Sequence, residues 1–240
     1  MDSVITIPAL GDNFIYLYRY NQNDSFAVDP SDGFLVLKTM KQHSLNLKMI
    51  LLTHHHWDHV AGIGELKRKT GCKVIGADKR RIPGIDSVVA DGQILPFANR
   101  KVRVITTPGH TLTSVCYYME PLAVSKNGIL WTGDTLFIGG CGRLLECNAQ
   151  TMWDSLQKLA ALPNETHIYC GHDYTLENYQ FALEIEPHNK TVQKRFNEIK
   201  QKHDGLTVPS TMSQEKQTNI FLRAGNVETF AELRRRKDIF

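Results

Sequence analysis

The segment THHHWDH at residues 53–59 constrains this chain more than any other part of its sequence. It directly follows the apolar run 49–52, which predicts a buried strand. Imidazole and carboxylate groups are ligands for zinc and its first-row neighbours. A strand that ends in such a cluster places the ligands at the edge of a sheet, where a cavity can open. The sequence therefore predicts a metal site here, with further ligands supplied by other parts of the chain.

Three more candidate ligands occur in a repeated sequence context. His110, Asp134 and His172 each follow a short β-like run, and each comes directly after a glycine. If the strands lie side by side, their carboxyl ends meet at one edge, as in loop-borne sites on a rigid scaffold. We therefore expect these side chains to meet the histidine-rich segment in one pocket.

The number of candidate ligands predicts two metals. The candidates are His54, His56, Asp58, His59, His110, Asp134 and His172. A tetrahedral zinc takes four ligands, so seven fit two metals that share one carboxylate. Asp134 is the natural bridge, because a carboxylate has two oxygens. Two metals about 3.5–4 Å apart can hold a water and lower its pKa from about 15.7 towards 7.

Composition limits the class of protein. A chain of 240 residues with 42% apolar and 22% charged residues is typical of a soluble globular protein of one large domain, or of a medium and a small one. The net charge of +3 does not indicate a nucleic-acid partner, and we see no apolar run of about 20 residues that would span a membrane. Five scattered cysteines without a Cys-x-x-Cys pair, and an N-terminus unlike a signal peptide, predict a reduced, cytoplasmic protein. We expect a monomer.

Hydrophobic periodicity predicts strands and helices that alternate as far as residue 172 and helices alone after it. Strands are expected at 4–7, 14–18, 25–28, 49–52, 73–76, 114–119, 129–131 and 166–170, together with a hairpin over 93–107 that turns near residues 98–100. Helices are expected at 33–43, 60–70, 151–161, 176–185, 192–202 and 229–240. This is an α/β pattern over residues 1–172 with a small helical domain over 173–240.

Several motifs carry a resemblance to a known family. Those that resemble the metallo-β-lactamase superfamily are THHHWDH at 53–59, PGHT at 108–111, GDT at 133–135 and CGH at 170–172. Those that resemble, within it, glyoxalase II (the hydroxyacylglutathione hydrolases) are GGCGR at 139–143, YCGHDYT at 169–175, VPST at 208–211 and LRRRKD at 233–238. The resemblance implies a four-layer αββα sandwich over residues 1–172, followed by a helical substrate-binding domain over 173–240.

The same resemblance implies a division of the ligands and an activity. It assigns His54, His56 and His110 to one metal, Asp58, His59 and His172 to the other, and Asp134 to both. The cofactors are then two divalent ions, zinc first, with iron or manganese as alternatives. The family hydrolyses the thioester of S-lactoylglutathione to D-lactate and glutathione, by attack of a hydroxide that bridges the metals. Asp58 and Asp134 are the catalytic carboxylates in this assignment.

Glutathione carries two carboxylates, so its pocket should offer cations and backbone donors. The family's substrate contacts carry over to Arg143, Leu145, Tyr174, Arg234 and Lys237. Arg143 stands where many members have lysine, and both are cationic. Leu145 stands where some members use a tyrosine, so that a hydroxyl contact is replaced by packing or a backbone contact.

Two rival functions stay open at this point. One is a persulfide dioxygenase of the same superfamily, which uses a single iron. The other is a metal-bound binding module without turnover. A further departure from the family pattern is Ser114, because many members have a histidine after the Gly-His-Thr motif. The metal content per chain would distinguish the thioester hydrolase from the persulfide dioxygenase and the binding module.

Overall fold

The computed structural model describes residues 3–122, 127–201 and 205–240 of the chain. The chain divides into two compact units. The first unit comprises Met1–Thr106 and Thr113–Glu120, and the second comprises Thr107–Leu112 and Pro121–Phe240. This division does not fall at residue 172, and the expected catalytic domain over 1–172 with a substrate-binding domain over 173–240 stays a prediction.

The first unit contains two groups of strands and the helices that connect them. Its strands are β1 (Ser3–Ala9), β2 (Asn13–Arg19), β3 (Asp24–Val28), β4 (Asn46–Leu51), β5 (Lys73–Gly76), β6 (Ser87–Val88), β7 (Ile94–Phe97), β8 (Arg100–Thr106) and β9 (Val115–Met119). Its helices are α1 (Gly33–His43), α2 (Trp57–Val60) and α3 (Ile63–Thr70).

Strands β1 to β6 form one sheet in sequence order. The pairs β1–β2 and β2–β3 are antiparallel, whereas β3–β4, β4–β5 and β5–β6 are parallel. Parallel neighbours need crossover connections, which contain α1 between β3 and β4 and α3 between β4 and β5. The carboxyl ends of β3 and β4 therefore lie side by side at one edge of this sheet.

The two faces of this sheet bury different side chains. Ile15 and Leu17 of β2 belong to an apolar core with Val36 of α1 and Leu66 of α3, and all four side chains are fully buried. Burial of an aliphatic side chain of this size contributes about 1.5–3 kcal/mol, so this core accounts for much of the stability of the unit. The alternation of strand side chains sends Phe26 of β3 to the opposite face.

A second sheet in the same unit covers that opposite face. Strands β7, β8 and β9 pair antiparallel in sequence order. The ring of Phe97 lies 4.6 Å from that of Phe26 and 5.4 Å from that of Tyr20, measured between centroids. The hydroxyl of Tyr117 donates to the carbonyl of Leu52 at 2.9 Å. Aromatic contacts and this buried hydrogen bond therefore join the two sheets of the first unit.

The second unit contains the remaining elements. Its strands are β10 (Ile129–Gly133), β11 (Leu136–Phe137), β12 (Gly140–Cys141), β13 (His167–Cys170) and β14 (Ser210–Thr211). Its helices are α4 (Ala149–Ala160), α5 (Thr175–Ile185), α6 (Lys190–Lys200), α7 (Met212–Thr218) and α8 (Val227–Asp238). Strands β10 and β13 are parallel neighbours, β14 is antiparallel to β13, and β11 pairs with β12 as a short hairpin.

Most predicted elements are present, with informative exceptions. Asp32 caps α1 by accepting from the amide of Leu35 at 3.0 Å, as its position in the sequence indicates. The helix predicted over 60–70 is present from Ile63, but its predicted start at residue 60 is wrong, because Val60 ends the separate short helix α2 and a break precedes α3. At this break a Cβ on Gly62 would lie 2.5 Å from the carbonyl oxygen of Pro30, so the two segments approach more closely than a side chain permits.

The segment after residue 172 is not entirely helical. Strand β14 and helix α7 were not predicted, because a two-residue strand and a seven-residue helix carry too little periodicity to detect. The predicted end of α6 at residue 202 lies outside the described residues. Among the helices of the described ranges, none has the length and apolar character needed to cross a membrane.

Candidate metal centre and adjoining cavity

The first unit brings its candidate ligands to the carboxyl end of β4. The amide of Asp29, which follows β3, donates to the carbonyl of Leu51 in β4 at 3.1 Å. The two polar segments that follow these strands therefore lie next to each other. His54 and His59 are buried, and they reach this edge from the loop after β4 and from α2.

Asp29 organises this edge, although it was not predicted as a site residue. Its carboxylate accepts from the amide of Thr53 at 2.8 Å, from Oγ1 of Thr53 at 2.6 Å and from Nδ1 of His59 at 3.0 Å. Ligand-type atoms of Asp29, His54 and His59 lie within 4.8 Å of one another. The sequence did contain a signal for Asp29, since this residue follows the predicted strand 25–28, just as the predicted metal ligands follow other predicted strands.

His54 and His56 direct nitrogen atoms at each other. Nδ1 of His54 lies 3.0 Å from Oγ1 of Thr53, and that hydroxyl donates its own hydrogen to Asp29. Nδ1 therefore carries the proton of His54 and donates it, which leaves Nε2 as a ligand atom 3.1 Å from Nδ1 of His56. Two nitrogens bound to one tetrahedral zinc at about 2.0–2.1 Å lie roughly 3.3–3.4 Å apart, so the pair has a spacing that suits a shared cation.

Asp58 is held by a second residue that was not predicted. The side-chain amide of Asn13, at the start of β2, donates to the backbone carbonyl of Asp58 at 3.0 Å and to its Oδ2 at 3.2 Å. The same Oδ2 lies 3.7 Å from Nε2 of His59. With Nδ1 of His59 bound to Asp29, the opposite nitrogen of that ring faces the carboxylate of Asp58.

The second unit brings three candidate ligands together. Asp134 follows β10 and His172 follows β13, and the amide of Gly171 donates to the carbonyl of Gly133 at 2.9 Å. Oδ2 of Asp134 lies 3.4 Å from Nε2 of His172 and 3.5 Å from Nε2 of His110. The convergence of strand ends predicted from the sequence is present here for parallel neighbours.

The backbone of the following loop fixes His110. Its Nδ1 donates to the carbonyl oxygen of Arg143 at 3.0 Å, which turns Nε2 towards Asp134. Close packing holds this loop in place: a Cβ on Gly142 would lie 2.0 Å from the carbonyl oxygen of Asp134. A side chain at residue 142 would therefore displace the backbone next to two candidate ligands.

The donor atoms fit divalent cations. In His54, His59 and His110 one ring nitrogen is bound to an oxygen atom and the other faces an imidazole or a carboxylate of the candidate set. Such oxygen partners fix the orientation and tautomer of metal-binding histidines. A set of imidazoles and carboxylates suits zinc, iron or manganese. This arrangement can hold cations, and through them it can activate water and polarise a carbonyl group.

One cavity of the second unit adjoins these ligands. Its volume is about 340 Å³, which is within the range of small-molecule sites. It is lined by His110, Asp134, Phe137, Cys141, Arg143, Tyr174, Glu177, Asn178, Arg234 and Lys237. Four of the five predicted substrate contacts are in this set. The fifth, Leu145, is 58% exposed and is not among the lining residues.

The cations of this cavity differ in burial. The side chain of Arg143 is 69% exposed, and its Nε lies 3.9 Å from Asp238. Arg234 is 4% exposed and donates to the carbonyl oxygen of Cys141 at 2.8 Å and to Asp238 at 3.1 Å. Lys237 is also buried, and its ammonium group contacts the carboxylate of Glu177. The cavity thus presents one exposed cation and two buried ones.

Aromatic and sulfur groups complete the wall. The ring of Tyr174 stacks on that of His172, with centroids 4.9 Å apart and planes at 5°. The ring of Phe137 meets that of Tyr174 edge-on at 5.2 Å. Burial raises the pKa of the Cys141 thiol to about 11, so this cysteine is protonated at neutral pH and is a poor nucleophile.

Comparison with known proteins first identifies the superfamily. Residues 15–172 match the metallo-beta-lactamase superfamily. The fold is similar to the crystal structure of ETHE1 from Myxococcus xanthus, with a TM-score of 0.73 and 23% identity over 98% of this chain and 90% of that one. It is also similar to a di-iron-bound form of TTHA1623, with a TM-score of 0.62 and 21% identity over 92% of this chain and 100% of that one. The predicted fold class, an α/β metallo-β-lactamase sandwich followed by a helical segment, is confirmed.

The C-terminal segment and full-length relatives identify the family. Residues 173–240 match the C-terminus of hydroxyacylglutathione hydrolases. Proteins named hydroxyacylglutathione hydrolase are 41% identical in Methylococcus capsulatus, over 100% of this chain and 99% of that protein, and 44% identical in Trichormus variabilis, over 99% of each. The relative from Photobacterium profundum is 42% identical over the full length of both proteins. The chain belongs to the hydroxyacylglutathione hydrolase family of the metallo-β-lactamase superfamily, which confirms the resemblance inferred from the motifs.

Proposed function

We propose that this protein hydrolyses the thioester of S-(2-hydroxyacyl)glutathiones, chiefly S-D-lactoylglutathione, to glutathione and D-lactate, as in the detoxification of methylglyoxal. One observation carries the proposal. A single cavity in the second unit is lined by the ligand-type residues His110 and Asp134 and by the cations Arg143, Arg234 and Lys237. The names of the full-length relatives support the same activity.

The proposed cofactors are two divalent cations, with zinc as the first candidate and iron or manganese as alternatives. The proposed ligands are His54, His56 and His110 for one cation and Asp58, His59 and His172 for the other, with Asp134 shared. When bound, such cations lower the pKa of water towards 7 and polarise the carbonyl of a thioester. Support comes from the orientation of the rings and carboxylates within each unit.

The chain's own residues hold these ligands and bind the substrate. Asp29 and Asn13 orient His59 and Asp58 in the first unit. The carbonyl of Arg143 orients His110 in the second. Asp58 and Asp134 are the carboxylates that we assign to catalysis, and the protonated thiol of Cys141 is not needed as a nucleophile.

The glutathione moiety is assigned to the cations of the cavity. Arg143, Arg234 and Lys237 lie on its wall and match the two carboxylates of the peptide in charge. Tyr174 offers a hydroxyl and an aromatic face, and Leu145 offers an apolar contact outside the cavity. These groups bind and orient the peptide, so that the thioester carbonyl is held at the ligand cluster.

Further parts of the proposal concern the setting of the reaction. We assign catalysis to residues 1–172 and substrate binding to residues 173–240, as the sequence predicts. The protein is proposed to act as a monomer in the cytoplasm on a small molecule, without a nucleic-acid or membrane partner.

The decisive experiment uses purified, metal-loaded protein and S-D-lactoylglutathione. The loss of thioester absorbance should be catalytic, with D-lactate and free thiol formed in equal amounts. A lactoyl thioester of N-acetylcysteamine, which lacks both peptide carboxylates, should react with a much higher KM. The proposal is rejected if the glutathione thioester is not hydrolysed, or if both substrates react with the same kcat/KM.

A further inference from the structure

The cavity of the second unit is lined by an acidic residue that the sequence did not single out, Glu177. Its carboxylate contacts the ammonium group of Lys237. The two partners differ in exposure, since the side chain of Lys237 is 6% exposed and that of Glu177 is 60% exposed. The pair therefore joins a buried cation to an anion that can move into solvent.

The surroundings of Lys237 make an anion necessary. Nζ of Lys237 lies 4.9 Å from the ring centroid of Phe240 and 5.8 Å from that of Phe181. The faces of aromatic rings attract a cation but do not neutralise it. A buried ammonium group that loses its counter-ion is strongly disfavoured, so Lys237 holds a carboxylate whenever one is available.

The other buried cation of the cavity is held differently. Arg234 binds Asp238 through Nε at 3.1 Å and through Nη2 at 2.9 Å, and Nη1 binds the carbonyl oxygen of Cys141 at 2.8 Å. Three of its nitrogens are thus engaged: two by Asp238, which is not among the lining residues, and one by the backbone carbonyl of Cys141, which is uncharged. Among the described residues that line the cavity, Lys237 is the buried cation whose anionic partner, Glu177, also lines the cavity.

We propose that Glu177 is a displaceable internal carboxylate. It occupies on Lys237 the position that a carboxylate of the substrate takes, and it moves into solvent when the substrate binds. This inference rests on the proposed function, because it concerns the same cavity and a ligand with carboxylate groups. It makes Glu177 a specificity-determining residue for the thioester.

The exchange is physically balanced. Lys237 keeps a carboxylate partner before and after the substrate binds, so no buried charge is left alone. Glu177 lies in the first turn of α5, where the amino-terminal end of the helix favours a negative charge whether or not Lys237 is its partner. The carboxylate of Glu177 is already largely hydrated, so its movement into water carries no desolvation penalty.

The exchange also has a kinetic consequence. A substrate carboxylate gains only the difference between its own contact with Lys237 and that of Glu177. Because the Glu177 end of the pair is exposed to water, its competition is weak, and its removal should strengthen the binding of carboxylate ligands about three- to fivefold. Replacement of a residue with a purely structural role would weaken binding or leave it unchanged.

The test is the variant Glu177→Gln, with Glu184→Gln as the matched control. Glu184 is an exposed residue of the same helix and does not line this cavity. Calorimetry of the metal-loaded proteins would measure the Kd of S-methylglutathione and of its diethyl ester, in which both carboxylates are blocked. We expect Glu177→Gln to lower the Kd of the free acid about three- to fivefold, to leave that of the diester unchanged, and to lower KM for S-D-lactoylglutathione without a change in kcat.

Thermal unfolding provides a second readout. Without ligand, Glu177→Gln should unfold at a lower temperature than the wild type, and S-methylglutathione should raise its Tm by a larger amount. The inference is overturned if the Kd of the free acid rises or stays the same, if the diester gains equally, or if the wild type binds neither compound. Loss of thioester hydrolysis in the wild type would instead reject the proposed function, while calorimetry would still report on Glu177.

Discussion

The Nδ1 atom of His59 donates to Oδ2 of Asp29 at 3.0 Å, across 30 positions of the chain. The same oxygen accepts from the hydroxyl of Thr53 at 2.6 Å, and that hydroxyl accepts from His54. One buried carboxylate therefore sets the orientation of two imidazoles. Partners of this kind raise the basicity of the ligand and fix its tautomer.

We expect Asp29→Asn to lower the metal affinity of the protein about 10- to 100-fold, because the amide cannot accept at both oxygen positions. Competition with a calibrated chelator would measure this affinity. The control is Asp32→Asn, since asparagine also caps helices and the Asp32 carboxylate accepts from the amide of Leu35 in α1. Equal metal affinity in Asp29→Asn and the wild type would contradict the role assigned to Asp29.

Asp134→Ala should abolish turnover through loss of metal. Its Oδ2 lies within 3.5 Å of Nε2 of both His110 and His172, so its removal leaves both imidazoles without their common carboxylate. Elemental analysis should give two metals per chain for the wild type and less than one for the variant. One iron per wild-type chain would favour the dioxygenase instead, and a metal-free wild type that still hydrolyses the thioester would refute the metal assignment.

Lys237→Ala should raise KM about tenfold and leave kcat nearly unchanged, since a charge-assisted bond to the peptide is lost at a distance from the reacting carbon. Arg234→Ala should also raise KM, and it should lower Tm because Arg234 binds the carbonyl of Cys141 and the carboxylate of Asp238. Arg235→Ala is the control, because Arg235 is exposed and pairs with Glu232. A fall in kcat with constant KM would show that the cavity has been assigned to the wrong part of the substrate.

Gly142→Ala should reduce both kcat and metal content and should destabilise the fold by about 1–3 kcal/mol, the usual cost of overpacking. The cause is the 2.0 Å approach of the new Cβ to the carbonyl oxygen of Asp134. Gly64→Ala is the matched control: Gly64 lies in α3 and a Cβ there meets no atom within 4 Å. Chemical denaturation should show that Gly64→Ala is neutral or more stable, because alanine favours helices. Normal activity in Gly142→Ala would exclude the proposed close packing.

Asp78 should make stability depend on pH under acidic conditions. Burial alone would raise the pKa of its carboxyl group, but hydrogen bonds from Arg81 and Thr113 lower it from 3.8 to about 2. A carboxyl group with a lowered pKa stabilises the fold above its unfolded pKa and loses this effect as pH falls from about 4 to about 2. The difference corresponds to about 2 kcal/mol. Denaturation of the wild type and of Asp78→Asn should converge near pH 2, and parallel curves between pH 2 and 5 would contradict this assignment.

Several structural features could be predicted because they depend on short stretches of sequence. Asp32 at the start of α1 and Gly71 at the end of α3 have the roles their positions indicate, with a φ of 67° at Gly71. The parallel placement of Asp134 and His172 could be inferred from the apolar runs that precede them. Each of these features follows from local backbone preferences or from strand periodicity.

Other features could not be predicted because they depend on contacts between distant segments. Asn13 reaches Asp58 across 45 positions, and Asp29 reaches Thr53 across 24. The break at Gly62 arises from close approach to the carbonyl of Pro30, which no helical pattern reports. Glu177 and Lys237 are 60 positions apart, so their ion pair was not visible in the sequence.

The sequence by itself determined the family, the fold class and the identity of the candidate ligands, because residue types and their spacing are local properties of the chain. Only the tertiary structure decided which atoms of those ligands are oriented and by which partners. It also decided that a buried lysine of the cavity is already paired with an acidic residue. The physical reason is that a hydrogen bond or an ion pair depends on the distance and direction between two atoms, and the packing of the chain sets both.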